Sequence, residues 1–498
     1  MPGHILVQRS SHSLGPFRSR WLAAALTTCV VLAGGCKEEE LPVAGELGDA
    51  CTPSDDDPCA AGLVCEARAG GSGDDAYICA GPVELRGMVI DALDESPIPD
   101  ARILALDDTG APISDVAISD ADGRYTLPIA IPRDSDGNPA TALTLTLSGS
   151  ALDYQIYPSG LQPAFPVSTA EVQQVEDDPD VDGDEHLSFI ENASTTVALI
   201  PLENPSGFTV SGRVATVDDD VGGTLVVAEG STGTYTVADR SGAFTLFNVA
   251  SGANTVRGYR GGLQIVPEDI DIDADLDGVV LELAGEGTGT VSGSVNIVNA
   301  PCGGETSVVL IPSALFSDAL EFGPVPYGLR APGPGIAPNV SSGWTIDGVP
   351  AGTYKVIASL ENDCLVRDPD TSIAGTEILE ITVAADETVD IQDSFKVTEA
   401  LEIVGPGADG PEVVSGGPVF EFADDSSEDQ YVILVHDALG NEIWTTTIDG
   451  VSGSATVTVD YAGPALTSGM YYRFQATSLK DGVPKSRTED LRGVFVIP

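Results

Sequence analysis

The chain has 498 residues, 42% apolar and 6% aromatic, and its 77 acidic against 22 basic side chains give a formal charge of −55. That balance excludes nucleic acid as a partner, because phosphate contacts need clustered Lys and Arg. With 56 Gly and 34 Pro the composition suits turn-rich β structure, and the length calls for several domains rather than one large core.

The first 35 residues carry Arg9, Arg18 and Arg20 but no acid, and close on the apolar run Trp21–Gly35. This run is too short to span a bilayer, and with its basic flank and small terminal residues it reads as a secretory signal peptide. The residue after the small pair is Cys36. The stretch Leu32-Ala33-Gly34-Gly35-Cys36 resembles a bacterial lipobox, although its leucine sits four residues before the cysteine rather than three. The resemblance implies that Cys36 becomes the lipid-modified first residue and that the rest lies in the cell envelope, at the outer membrane or cell surface. Residues 36–49 then read as a lipidated polar tether.

The leader also holds Cys29, His4 and His12, so His186 and His436 are the only histidines left for histidine-based catalysis. Apart from Cys36, six cysteines remain, an even number expected to form disulfides in an oxidising compartment. Cys51, Cys59, Cys65 and Cys79 fall in a segment, residues 50–80, too poor in apolar residues to fold without covalent staples. Three pairings are open among these four. Zinc is disfavoured because no Cys-x-x-Cys occurs. The run Asp57–Cys65 resembles the small EGF-like or Dickkopf-like modules of exported bacterial lipoproteins. Cys302 and Cys364 are expected to pair within a later domain.

From residue 83 onward, short Val/Ile/Thr/Leu runs alternate with polar residues and are separated by Gly, Pro, Asp and Asn. This predicts an all-β chain of tandem β-sandwich modules after the small disulfide-rich module. A repeat is visible within it. Phe244-Thr245-Leu246, Val249, Gly252 and Val256 match Trp344-Thr345-Ile346, Val349, Gly352 and Val356; first strands 210–214 (VSGRV) and 291–295 (VSGSV) precede them. The third module is longer by about 19 residues, and the Pro/Gly-rich stretch 331–338 is expected to carry much of the insertion. An earlier copy opens Arg86-Gly87-Met88-Val89, passes through Pro97–Ile103 and reaches Asp122-Gly123-Arg124-Tyr125-Thr126-Leu127. There Asp122-Gly123 supplies a tight turn, and Tyr125 and Leu127, two apart, face one core. These features resemble the carboxypeptidase regulatory-like domain, a transthyretin-like or Cna-B-like sandwich. Modules are expected at 83–203, 206–285 and 288–398.

Residues 404–410 (VGPGADG) form a Gly-x-Gly-x-x-Gly, but Pro411 follows instead of a helix, so the run reads as a linker and not a dinucleotide site. Within the last module, 405–498, residues 466–476 (LTSGMYYRFQA) resemble the Leu-x-x-Gly-x-x-Tyr-x-Phe strand of fibronectin type III and Ig-like domains.

No nucleophile elbow or zinc-protease motif is present. His436 is expected to be solvated, on the strand face opposite Tyr431, Ile433 and Val435. Calcium is the one cofactor suggested. Asp178, Asp180, Asp182 and Asp184 alternate around Gly183 with Glu191 at the twelfth position, and Asp273, Asp275 and Asp277 precede Gly278, but both runs depart from the EF-hand pattern. The sequence therefore points to a non-enzymatic, lipid-anchored surface scaffold for binding, adhesion or spacing, a row of sandwiches with an extracellular protein or glycan as ligand. The alternative is a secreted hydrolase accessory protein or a carboxylate-based glycan-active enzyme. The scaffold reading expects no large cleft, and the enzyme reading expects one with converging carboxylates. Sugar platforms need exposed aromatics, and of the three tryptophans only Trp344 and Trp444 lie in the modules, with Trp344 aligned to the core position of Phe244.

Overall fold

The computed structural model describes residues 44–498 except 54–57, 140–142, 175–185, 216–219, 232, 286, 301–302, 426 and 452. The leader, Cys36, Cys302 and Asp178, Asp180, Asp182 and Asp184 lie outside the described residues. The described chain is all-β, with four single-turn 3-10 segments and no α-helix.

Polar turns set the strand ends. Five turns share one design, Asp-x-x-Gly, starting at Asp107, Asp120, Asp134, Asp239 and Asp437. In each, one carboxylate oxygen accepts the backbone N–H groups two and four residues on, at 2.8 to 3.0 Å. The glycine at the fourth position, at φ between 72° and 87°, takes the left-handed conformation that a side chain would resist. Part of the acidic surplus is thus consumed as turn chemistry. After the second of these turns the strand Arg124–Ile129 buries Tyr125, Leu127 and Ile129 and exposes the residues between them, as the two-residue period requires.

The sheets come in pairs drawn from residues 83–199, 208–281, 289–399 and 403–496. The first three pairs repeat one arrangement. In each, the first strand runs antiparallel to the aromatic-x-aliphatic strand and parallel to the closing strands of the segment. The register sets Gly87 opposite Tyr125, Gly212 opposite Phe244 and Gly293 opposite Trp344. A Cβ on these glycines would fall 2.7 Å from the Tyr125 hydroxyl, 2.8 Å from the Phe244 ring and 2.7 Å from the Trp344 ring. The absent side chain is therefore what lets the aromatic ring lie over the first strand, and the Gly and aromatic elements of the sequence repeat are two halves of one contact.

The disulfides are Cys51–Cys65 and Cys59–Cys79. They close the two-stranded sheet Val64–Ala67 with Tyr77–Ala80. Cys364 is also disulfide-bonded. A buried ion pair, Arg133 Nε to Glu66 Oε2 at 2.8 Å, ties this module to the first sandwich, and Glu66 also accepts the Ile131 N–H at 3.1 Å.

The tandem sandwiches pack on one another, and Ala44–Pro498 form one compact unit. Asn248 holds the second sandwich to the first, accepting from Asp153 N and donating to Tyr154 O. Leu225, Val227 and Tyr259 of the second join the core of the third, where Tyr259 and Tyr354 meet edge to face at 5.6 Å. The fourth is fixed to the third by Glu321, which bridges Arg367 and Arg487 at 2.6 Å each, and by Arg367 to Asp490 at 2.7 Å. It also returns to the first: Gln155 donates to Ala438 O at 3.0 Å, and a Cβ on Gly469 would lie 1.7 Å from Ala92 O. Strand Leu225–Ala228 is buried at every position because Leu225 and Val227 face the core of the third sandwich, and Val308–Pro312 because Phe316, Phe322 and Val325 of its own sandwich pack on Val309 and Ile311.

Candidate functional site

Where the sandwiches meet lies a cavity of about 660 Å³, walled by all four of them. The first sandwich supplies the loop 156–166. This loop is pinned from inside: Gly149 and Tyr157 exchange backbone hydrogen bonds at 2.8 Å, and so do Ser159 and Gln162 at 3.0 and 2.9 Å. The Phe165 N–H donates to the Tyr157 hydroxyl at 2.9 Å, and burial pushes that phenol up to about 12. The second sandwich contributes Leu225, Tyr235 and Val237 from the outer face of its sheet, and Tyr235 donates to Pro158 O at 3.5 Å. From the third come Phe322 and Pro324–Tyr327, with the Arg260 guanidinium over the Tyr327 ring at 5.2 Å. The fourth adds Asp409, Gly410, Pro411, Leu491 and Val494.

The third-sandwich wall is built by its insertion. Residues 313–329 stand between the strands Val308–Pro312 and Arg330–Ala331, where the second sandwich has only 229–234. Most of the extra length therefore lies ahead of the Pro/Gly-rich stretch 331–338, which corrects the sequence expectation. The Gly-rich run 404–410 is followed by the strand Glu412–Val413, with no helix to hold a pyrophosphate. It also carries Asp409 and Gly410 into the cavity wall.

The walls are mostly apolar and stiff. Six prolines line them, each with a fixed φ, and Asp409, at an exposed position, is the one charged side chain among the described lining residues. The expectation that a scaffold would lack a large cleft is corrected, and the cleft found lacks the converging carboxylates expected of an enzyme. Such walls can desolvate and hold an apolar body.

The sequence-stated residues fall elsewhere. Glu191 is exposed after the strand Ser188–Ile190. Asp273 is exposed, while Asp275 accepts the Thr209 N–H at 2.9 Å and Asp277 accepts the Ser211 hydroxyl at 2.6 Å. Asp277 and Gly278 sit in the strand Leu276–Leu281 rather than in a loop. The one described group of three metal-type ligands within 4.8 Å is Cys51, Cys59 and Cys79, which are spent in disulfides. Trp344 is a core residue, stacked on Phe395 at 6.3 Å, and so is no open sugar platform, while Trp444 is half-buried and packs edge-on to Tyr461 at 5.0 Å.

His436, expected to be solvated, is 6% exposed. Its cross-strand neighbour Arg473 donates to Leu320 O of the third sandwich at 3.2 Å, so that sandwich covers the strand face that would otherwise meet water. Burial, then the Arg473 charge, holds the imidazole below its usual value.

No protein-family model matches the chain, and no curated protein does. Partial likenesses are found among solved structures. The Bacillus anthracis TIE protein is similar over 80% of this chain and 67% of its own, at 10% identity and TM-score 0.14. A streptococcal ancillary pilin is similar over 63% and 99%, at 11% identity and TM-score 0.17. The tetra-tandem repeat in the extending region of a large adhesion protein is similar over 82% and 98%, at 14% identity and TM-score 0.13. Scores of this size carry no argument about what this chain does. The chain's own sheets define it as an all-β protein of packed sandwiches.

Proposed function

We propose that the protein is an exported, lipid-anchored surface protein that binds rather than transforms its ligand. The observation that carries this reading is the join between the two ends of its N-terminal region. A basic leader with a short apolar run ends at Cys36, and the first described module after it is closed by two disulfides, which persist in an oxidising compartment. Binding is supported by the cavity, whose stiff apolar walls suit retention of a ligand more than polarisation of a bond. The compact packing of the sandwiches favours a binding body over an extended spacer.

The test is expression of the whole chain in a bacterium with radiolabelled palmitate. The wild type is expected to take up label and to fractionate with membranes. Cys36→Ser is expected to lose the label and appear in the soluble envelope or medium. A Cys36→Ser chain that keeps its label, or an unlabelled wild type, would overturn the anchoring.

A further inference from the structure

We infer that the cavity between the four sandwiches is a binding site for a small, largely apolar molecule that carries no negative charge. This deepens the reading of the chain as a binding protein and rests on it. Three observations select the class. The cavity, at about 660 Å³, falls in the range of small-molecule sites, roughly 300 to 1,000 Å³. Its apolar side chains come from all four sandwiches, among them Leu106, Leu225, Phe322 and Val494, so burying a ligand there removes apolar surface of both from water. The prolines and the pinned loop 156–166 fix the walls before a ligand arrives, which lowers the ordering cost.

Charge sets the remaining choice. Among the described lining residues there is no Lys, Arg or His to meet an anion, and the one ionised group is the Asp409 carboxylate. The whole chain adds a formal charge of −55. An anionic amphiphile such as a fatty acid would enter without a counter-ion and against this field. A neutral molecule meets no such penalty. For its few polar atoms the cavity offers the Asn362 amide and the Tyr235 hydroxyl, whose present contact to Pro158 O is long at 3.5 Å.

The experiment uses the chain from Lys37 onward, which contains the whole compact unit Ala44–Pro498. Two fluorescent probes with the same aromatic body are titrated: N-phenyl-1-naphthylamine, which is neutral, and its sulfonate counterpart 8-anilinonaphthalene-1-sulfonate. The neutral probe is expected to saturate at one per chain, and the sulfonate to bind at least about tenfold more weakly. Ala164→Trp and Val325→Trp, which fill the cavity from two different sandwiches, are each expected to weaken the neutral probe at least about tenfold, with the thermal unfolding midpoint recorded to show that the variants fold. Asp409→Lys is expected to narrow the gap between the probes. The inference falls if the neutral probe does not saturate, if the sulfonate binds equally well, if both folded tryptophan variants bind undiminished, or if the chain is a dimer that either tryptophan variant dissociates. Palmitate labelling of Cys36 is independent of all these results, so failure here leaves the anchoring reading to be judged on its own.

Discussion

Adding one methyl group at each of Gly87, Gly212 and Gly293 is expected to cost unequal amounts, in an order set by what the new Cβ meets. None of the three has a positive φ, so alanine is conformationally acceptable there and the cost is one of space. At Gly87 the Cβ would lie 2.0 Å from the Thr195 carbonyl oxygen, about 1.4 Å inside the 3.4 Å at which ordinary contact begins. The Thr195 backbone would have to retreat, and its carbonyl accepts the buried Tyr125 hydroxyl at 2.6 Å. Overpacking costs about 1–3 kcal/mol and a lost buried hydrogen bond about 1–3 kcal/mol more. Alanine returns about 0.4–1 kcal/mol through the unfolded chain, leaving a net loss of about 1–6 kcal/mol. Gly212→Ala meets the Val279 carbonyl at 2.1 Å and carries the overpacking cost without the tyrosine hydroxyl, about 0–3 kcal/mol once the same return is taken off. Gly293→Ala meets first the Trp344 ring edge at 2.7 Å, with no backbone among its nearest neighbours, and a tilt of the ring should hold its cost to about 1 kcal/mol. Urea unfolding gives the global cost, and hydrogen exchange resolved by peptide assigns it to one sandwich. The reasoning is refuted if Gly293→Ala costs as much as Gly87→Ala, or if Gly87→Ala stays within about 0.5 kcal/mol of the wild type.

Three further outcomes are expected. Glu66→Ala strands the buried Arg133 charge and should destabilise the unit by about 3–5 kcal/mol, whereas adding Arg133→Met should recover most of that loss, because removing both charges also removes their desolvation cost; urea titration of the single and double variants checks this. Burial raises Glu321, but Arg487 and Arg367 outweigh it and hold the carboxyl well below the usual range. Its stabilising contribution should therefore be full above the ordinary glutamate value of 4.5 and lost as pH falls through its own lower value, and Glu321→Gln should flatten the urea midpoint across that acid window. Asp363 is pushed up to about 6, first by burial and then by Glu489 and Glu361. A raised carboxyl weakens the fold as pH rises through its folded value, so Asp363→Asn should raise the thermal midpoint at pH 7 and leave it unchanged near pH 4.

The sequence by itself determined the all-β class and the individual contacts that build each sandwich. Short strands, Asp-x-x-Gly turns and the pairing of a strand glycine with a facing aromatic are local or two-strand events, written in residues whose roles do not depend on distant chain. It also marked the cysteines from Cys51 to Cys79 for disulfides, but not their partners, because pairing depends on how the backbone returns. Tertiary structure alone decided that the sandwiches pack on one another. A Leu or Val facing a neighbouring sandwich is chemically the same as one facing its own core, and the continuous apolar run Leu225–Ala228 is the sequence feature that matches a face covered by a neighbour. For the same reason His436, placed on the polar side of its strand by alternation, is buried: the third sandwich lies where water was expected. The cavity assembles the loop 156–166, the insertion 313–329 and the run 404–410, segments far apart in the chain whose meeting is fixed by packing between modules and not by any pattern within one.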